Sequence, residues 1–189
     1  MTDSSIIVVP AEEAIPENLA GRWWVAHTKP RNEKSLAGEL GQQGIIHYLP
    51  LLARQTRSRA TRRVSRSVIP VFPGYLFFNA TDEQRIRALK TKRIATVLAV
   101  PRQEVLVREL RQIYSALSSG VGIRWHPEVK VGDWARVVGG PLMGVEGVVA
   151  RRTGKVRLVL NVVMLGQSIS VEVADDLLER IDDPTMTDR

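Results

Sequence analysis

The sequence predicts an α+β protein in two parts, an antiparallel sheet with helices packed on one face followed by a small five-stranded barrel. Three observations lead there. Apolar periodicity over residues 22–118 alternates in the order β-α-β-β-α-β-α. The run Ser118-Ser119-Gly120-Val121-Gly122 interrupts it. Beyond that break, residues 133–173 read as short Val-rich strands with tight turns.

The elements follow in chain order. Residues 1–20 carry Pro10, Pro16, an apolar patch at Ile6–Val9 and four acids, which reads as a flexible acidic leader. Trp23-Trp24-Val25 reads as a buried strand. Lys29 to Lys34 opens a helix with Leu36 and Leu40 four apart on one face, ended by Gly41 and Gly44. Ile45 to Leu49 is a second strand, closed by Pro50, and Gly74 to Asn79 a third, with an arginine-rich stretch between them. Thr81 or Asp82 caps the next helix, where Ile86 and Leu89 face inward. Val97 to Val100 is a fourth strand. A helix from Gln103 carries Leu106, Leu110, Ile113, Tyr114 and Leu117 as a stripe of period 3.6. The expected division is a leader over 1–20, a first domain over 21–118, a linker over 119–128 through His126-Pro127, a barrel domain over 129–182 and a tail over 183–189. Strands are expected at Asp133 to Val138, Val145 to Arg151, Lys155 to Val163 and Ser168 to Val173, with Thr153-Gly154 as a hairpin turn.

Charge is unevenly spread. Of the 189 residues, the first 19 hold four acids and no base, residues 20–117 hold 18 bases and 6 acids, and the remainder hold 9 bases and 10 acids. A basic body with a near-neutral tail section points to a polyanion partner for the first domain only. There is no cysteine, which excludes disulfides, thiol nucleophiles and Cys-based zinc sites. With only three histidines a His-rich metal centre is not expected either, and no cofactor is implied. No apolar run approaches the ~18 residues of a membrane span. The acidic start differs from a secretory signal, which begins with positive charge, so a cytoplasmic protein is expected.

Arg54, Arg57, Arg59, Arg62, Arg63 and Arg66 lie within thirteen residues, spaced by Ser and Thr without an acid. Guanidinium forks match phosphate geometry, and without aromatics in the stretch base stacking is not expected. This points to backbone contact without sequence reading. Lys90, Lys92 and Arg93 form a second basic knot, read equally as cations stabilising a helix C-terminus. All three Phe residues fall in Phe72-Pro73-Gly74-Tyr75-Leu76-Phe77-Phe78. Alternation buries half of such a strand and leaves the other half needing a second apolar partner, either the neighbouring domain or another protein. Enzyme signatures fail. Gly154-Lys155 resembles a phosphate-binding loop, but that motif needs Gly at 149 and Ser or Thr at 156, and both are Val. Gly139, Gly140, Gly144 and Gly147 lie between strands, and no nucleophile-elbow pattern is present. The chain is therefore not expected to be an enzyme.

Trp23-Trp24-Val25-Ala26-His27-Thr28-Lys29-Pro30-Arg31 with Glu33-Lys34, then Leu49-Pro50-Leu51, then Val71-Phe72-Pro73-Gly74-Tyr75-Leu76-Phe77, resembles the N-terminal domain of the NusG family. Gly132-Asp133, Val137-Val138, Gly140-Pro141-Leu142, Gly144 and Glu146-Gly147-Val148-Val149 resemble its KOW motif, and Met164-Leu165-Gly166 with Val171-Glu172-Val173 its closing strands. The resemblance runs from about Arg22 to Leu178 and implies a NusG-type domain followed by a small SH3-like KOW barrel. It implies a transcription elongation factor that binds the clamp of RNA polymerase, touches the displaced non-template DNA strand and changes pausing and termination. Through the barrel it implies recruitment of Rho or a small-subunit ribosomal protein. The wording is closer to specialised paralogs, the RfaH and UpxY-like antiterminators of long operons, in its Thr-Lys-Pro-Arg segment and around Trp125-His126-Pro127. The alternative is a KOW-type RNA-binding ribosomal or ribosome-assembly protein, against which the near-neutral barrel section argues.

Site residues follow from this reading. Trp23, His27, Phe72, Pro73 and Tyr75 are expected to face the polymerase. Lys29, Arg31, Arg57, Arg59, Arg62, Arg63, Lys90, Lys92 and Arg93 are expected to meet nucleic acid, and Leu142, Met143, Leu165, Gly166 and Gln167 a partner of the barrel. A monomer is expected. Two departures stand out: the family often has Pro-Gly near Lys92 and Arg93, and a basic residue where this chain has Gln167. In RfaH the KOW section can rest as helices; here the crowd of Val between 156 and 173, with Gly154 and Gly166, favours a permanent barrel on a flexible linker.

Overall fold

A computed structural model describes residues 6–9, 15–16, 19–57, 64–127, 132–152 and 155–184. In chain order the first part contains β1 (Ile6–Val9), β2 (Arg22–Thr28), α1 (Glu33–Gln42), β3 (Ile46–Tyr48), β4 (Leu51–Arg57), β5 (Val64–Pro70), β6 (Tyr75–Ala80), α2 (Asp82–Lys90), β7 (Ile94–Ala99) and α3 (Gln103–Ser118). The second contains β8 (Ile123–Pro127), β9 (Trp134–Val137), β10 (Glu146–Arg152), β11 (Lys155–Val162), β12 (Gln167–Glu172) and β13 (Leu178–Ile181).

Strand alternation builds the first sheet, an antiparallel array in the order β3-β6-β2-β7. Trp23 and Val25 point to one face with Tyr48 and Phe77, where Leu106, Leu110 and Ile113 of α3 cover them. Ala26 points to the other face with Leu76 and Phe78, covered by Leu36 and Leu40 of α1 and Ala88 of α2. The helices therefore lie on both faces rather than one. The aromatic strand β6 requires this, because both of its sides are apolar. Its second apolar partner is the long helix α3 of the same chain. Each such buried Phe or Leu contributes roughly 1.5–3 kcal/mol.

Thr81, rather than Asp82, caps α2: its hydroxyl accepts the Gln84 N–H at 3.3 Å while Gln84 Oε1 accepts the Thr81 N–H at 2.9 Å. Ile86 and Leu89 do not face inward; Ile86 is 49% exposed. The helix approaches the sheet through the small Ala88 and through Arg85, whose guanidinium lies 4.9 Å from the Trp24 ring centroid.

The arginine-rich stretch carried no strand prediction, but its described ends lie in β4 and β5, which pair from Leu51↔Pro70 to Arg57↔Val64. β1 adds to the free edge of β4, from Ile6↔Arg54 to Val9↔Leu51, giving a three-stranded sheet β1-β4-β5. Ile15 is buried in the α3-side core. The described part of the leader thus adds a strand to the fold and one side chain to its core.

The second sheet is antiparallel with six strands in the order β13-β9-β10-β11-β12-β8. The stretch expected as linker contains β8, which pairs with β12 from Ile123↔Val171 to Pro127↔Gln167. Gly120 and Gly122 masked this in the sequence by breaking the apolar pattern just ahead of it. Residues 155–162 are strand, as their β-branched content led one to expect. The turn expected at Thr153-Gly154 lies outside the described residues; the flanking pair Arg152↔Lys155 is in hairpin register. Among the described residues no helix is long and apolar enough to cross a membrane.

Candidate functional site

The ends of β2 and β6 meet where His27 pairs with Tyr75, their ring centroids 5.2 Å apart and tilted by 32°. His27 is exposed and Tyr75 half-buried, because α3 covers the sheet only from Val25 and Phe77 onward. Before β6 the chain turns tightly at Gly74, whose φ of +85° suits glycine. The Tyr75 N–H donates to the Phe72 carbonyl at 3.1 Å, and the Thr28 N–H donates to the Gly74 carbonyl at 2.8 Å. The Gly74 N–H donates to Glu33 Oε1 at 2.8 Å, so the first turn of α1 anchors this turn. Pro73 projects at its exposed tip.

Two of the residues expected on this surface are inside the protein. Trp23 is 4% and Phe72 1% exposed. Phe72 stacks edge-on against Phe77 at 6.2 Å, and the backbone of Trp23 is clasped on both sides by the Gln103 carboxamide. Both serve the core; the surface left is His27, Pro73 and Tyr75.

Beside it lies a basic cluster. The Lys29 N–H donates to the Arg93 carbonyl at 2.8 Å, which sets the Lys29–Arg31 segment against the turn after α2. Lys29, Arg31, Lys90 and Lys92 are exposed. Arg93 is not: its guanidinium is ion-paired with Glu39 and donates to Asn32 Oδ1 at 2.8 Å. It holds the turn together rather than offering a free charge. Arg31 and Lys92 both adopt left-handed backbone, at φ 60° and 57°, which is uncommon outside glycine. Lys92 thus takes by strain the conformation a glycine takes freely. Of the arginine stretch, Arg57 sits in the last pair of β4 with β5, while Arg59, Arg62 and Arg63 lie outside the described residues.

On the second sheet, the turn between β9 and β10 and the turn between β11 and β12 fall at the same end, since alternate hairpins of an antiparallel array do. Met143, 72% exposed, occupies the first turn. Leu165, Gly166 and Gln167 occupy the second, with Leu165 and Gln167 half-buried and Gly166 exposed. Leu142 is buried in the core, so it supports the first turn and presents no surface.

Sequence reasoning missed the seam between α3 and the second sheet. Gln112 Oε1 accepts the Glu146 N–H at 2.9 Å, Glu109 Oε1 accepts the Val163 N–H at 3.2 Å, and Arg108 donates to the Pro184 carbonyl at 3.2 Å. The available signal was the polar pair Glu109 and Gln112, three apart on a helix otherwise read by its apolar stripe.

The family model described as transcription termination factor nusG matches residues 21–120. The chain belongs to the NusG family. No curated protein matches the chain closely. The match covers β2 to α3, and so the whole His27–Tyr75 surface and the basic cluster beside it. Membership of the NusG family carries a general role in transcription elongation, and proteins of this family bind RNA polymerase.

Proposed function

We propose that this chain is a specialised NusG-family factor that rides on elongating RNA polymerase and suppresses pausing or termination along long operons, in the manner of the RfaH and UpxY-like antiterminators. It acts by binding, without catalysis. The observation that carries the reading is the juxtaposition at one end of the first sheet: a paired, solvent-facing His27 and Tyr75 beside four exposed cations. Tyr75, His27 and Pro73 are the contacts for the polymerase clamp. An aromatic that is half-buried in a rigid sheet loses little freedom on docking, which favours a binding hot spot.

Lys29, Arg31, Lys90 and Lys92, with the arginine hairpin, hold the displaced non-template strand through its phosphates, without reading bases. The second sheet serves as the KOW barrel. Its strand order and paired turns support that role, and Met143 with Leu165–Gln167 form its edge for Rho or a small-subunit ribosomal protein. Gln167, where the housekeeping factor has a basic residue, disfavours Rho.

The test is the affinity of Tyr75→Ala for core RNA polymerase. A loss of about 2 kcal/mol in a folded variant is expected for an aromatic hot spot. Wild-type affinity would reject this surface as the clamp contact.

A further inference from the structure

We infer that the polymerase-facing surface continues across β2 onto β7, where Thr96 is a specificity-determining contact whose hydroxyl meets a hydrogen-bonding group of the polymerase. The inference rests on the polymerase reading of His27 and Tyr75. Two neighbouring rows of the first sheet carry it. Phe77, Val25 and Leu98 stand opposite one another on β6, β2 and β7. α3 closes over that row: Phe77 and Val25 are fully buried, and Leu98 packs against the same core. The next row on that face is Tyr75, His27 and Thr96, in register on the same three strands. Directly opposed residues of antiparallel strands share a face, so Thr96 flanks His27 on one side as Tyr75 does on the other. Tyr75 is half-buried, and His27 and Thr96 are exposed. The row spans about 10 Å, two strand spacings, and ends at β7, the last strand of the sheet.

The backbone departs from regular pairing at this row. β2 and β7 change register between His27 and Thr28: His27 pairs with Thr96, and Thr28 with Ile94. Ala95 is thus an extra residue on β7, a β-bulge. Ile94 fills the core on the α1 side. A strand without Ala95 would still set Ile94 against Thr28 and Thr96 against His27, so core packing does not demand the bulge. Its effects are local: it bends β7, raises the twist and makes the free edge a poor template for a further strand. Bulges of this kind are enriched beside binding and active sites, where they re-aim a side chain. The side chain next to this one is Thr96.

The three side chains divide the work of recognition. The rings of Tyr75 and His27 take an apolar group of the polymerase. Thr96 adds a hydroxyl, with one donor and two acceptor lone pairs, on a β-branched stem whose rotamers are few. Docking therefore orders it at little cost. A partner that covers this hydroxyl without bonding it leaves a polar group desolvated and unpaired, which is how the residue selects.

Three variants of the full-length chain test this, with affinity for core RNA polymerase as the readout. Thr96→Val removes the hydroxyl at nearly constant shape and should bind about fivefold more weakly. Thr96→Ser keeps a hydroxyl and should bind within about twofold of wild type. Thr96→Arg drives a long side chain into the contact and should weaken binding about tenfold or more. Thr96 is exposed and Val suits a strand, so these losses do not come from unfolding. Wild-type affinity in Thr96→Val or in Thr96→Arg overturns the inference, as does an equal loss in Thr96→Val and Thr96→Ser. Tyr75→Ala separates the inference from the reading beneath it. If Tyr75→Ala loses affinity and the Thr96 variants do not, only the inference falls. If Tyr75→Ala binds as wild type does, the clamp contact is not on this surface and both fall.

Discussion

Glu33 Oε1 accepts the backbone N–H of Gly74 at 2.8 Å. This one bond joins the first turn of α1 to the turn that launches β6, two segments 41 residues apart. Glu33 is 8% exposed, so the carboxylate is held by the turn rather than by water. Its neighbours explain its position: Thr28 is bonded to the same glycine, and His27 and Tyr75 stand on either side of that contact.

Replacing Glu33 by Ala should therefore weaken the turn as well as the helix. A charge-assisted hydrogen bond of this kind contributes on the order of 1.5–3 kcal/mol, and its loss leaves a backbone donor unpaired. We expect Glu33→Ala to lower unfolding free energy by about 2 kcal/mol in urea titrations, with Glu33→Gln recovering most of it. Unchanged stability in Glu33→Ala would show that the turn is held by other contacts.

Tyr48 predicts a pH effect. It is buried between Phe77 and Tyr114, and its hydroxyl has no hydrogen-bond partner among the described residues. Burial, reinforced by the neighbouring Tyr114, pushes its phenol far above the ordinary range. In the unfolded chain the group ionises near pH 10, so ionisation favours unfolding. Its contribution is fully present below pH 10 and is lost as pH rises above it, at up to about 1.4 kcal/mol per pH unit for the one proton. Tyr48→Phe should be neutral or stabilising at pH 7, because it removes an unpartnered buried hydroxyl. It should also flatten the stability loss between pH 10 and 11, measured by denaturant titration. An identical slope in both proteins would mean that Tyr48 ionises with water access.

The first sheet was legible in the sequence because its signals are local. The Trp23–Val25 strand, the Leu36/Leu40 face, the Thr81 cap and the stripe from Leu106 to Leu117 each follow from a period or a capping residue. Four features were not legible. β1 and β8 owe their strand form to edges offered by β4 and β12, and an edge 40 or more residues away leaves no mark on the local pattern. The β4–β5 hairpin was hidden by its own arginines, which interrupt apolar alternation without preventing backbone pairing. Which aromatics reach the surface depended on where α3 ends over the sheet. The same alternation thus exposes His27 and buries Trp23. The pair Lys29–Arg93, joined through backbone, was the least visible, since neither residue's type announces it.

The basic cluster divides into structural and free charges, and substitution should separate them. Arg93 is tied to Glu39 and Asn32, so Arg93→Ala should lower the melting temperature while changing DNA affinity little. Lys92 is exposed in a left-handed turn, so Lys92→Gly should keep stability and remove one charge. If Lys92 meets a phosphate, the slope of log affinity on log salt should become shallower by about 0.7, the value for one single-strand contact. A slope unchanged in Lys92→Gly and reduced in Arg93→Ala would reverse the assignment.

The seam on α3 predicts how the two parts of the chain move. Gln112 and Glu109 each satisfy a backbone N–H of the second sheet, at Glu146 and Val163. Replacing both by Ala leaves the part-buried Glu146 donor unpaired, at a cost of about 1 kcal/mol or more, and returns the exposed Val163 donor to water. The apolar contacts between α3 and the second sheet, with the Arg108–Pro184 bond, have to hold the seam in that variant. We expect the double variant to show two rotational correlation times by NMR relaxation, one for residues 21–118 and one for 132–181, where the wild type shows one. The polymerase surface should be indifferent to this release, because His27 and Pro73 are already exposed with the second sheet docked. Polymerase affinity should therefore stay within about twofold of wild type, a change below ~0.5 kcal/mol. A large gain in affinity on undocking would show that the docked arrangement obstructs the clamp contact, and would move that contact from the His27–Tyr75 end of the sheet to the α3 side.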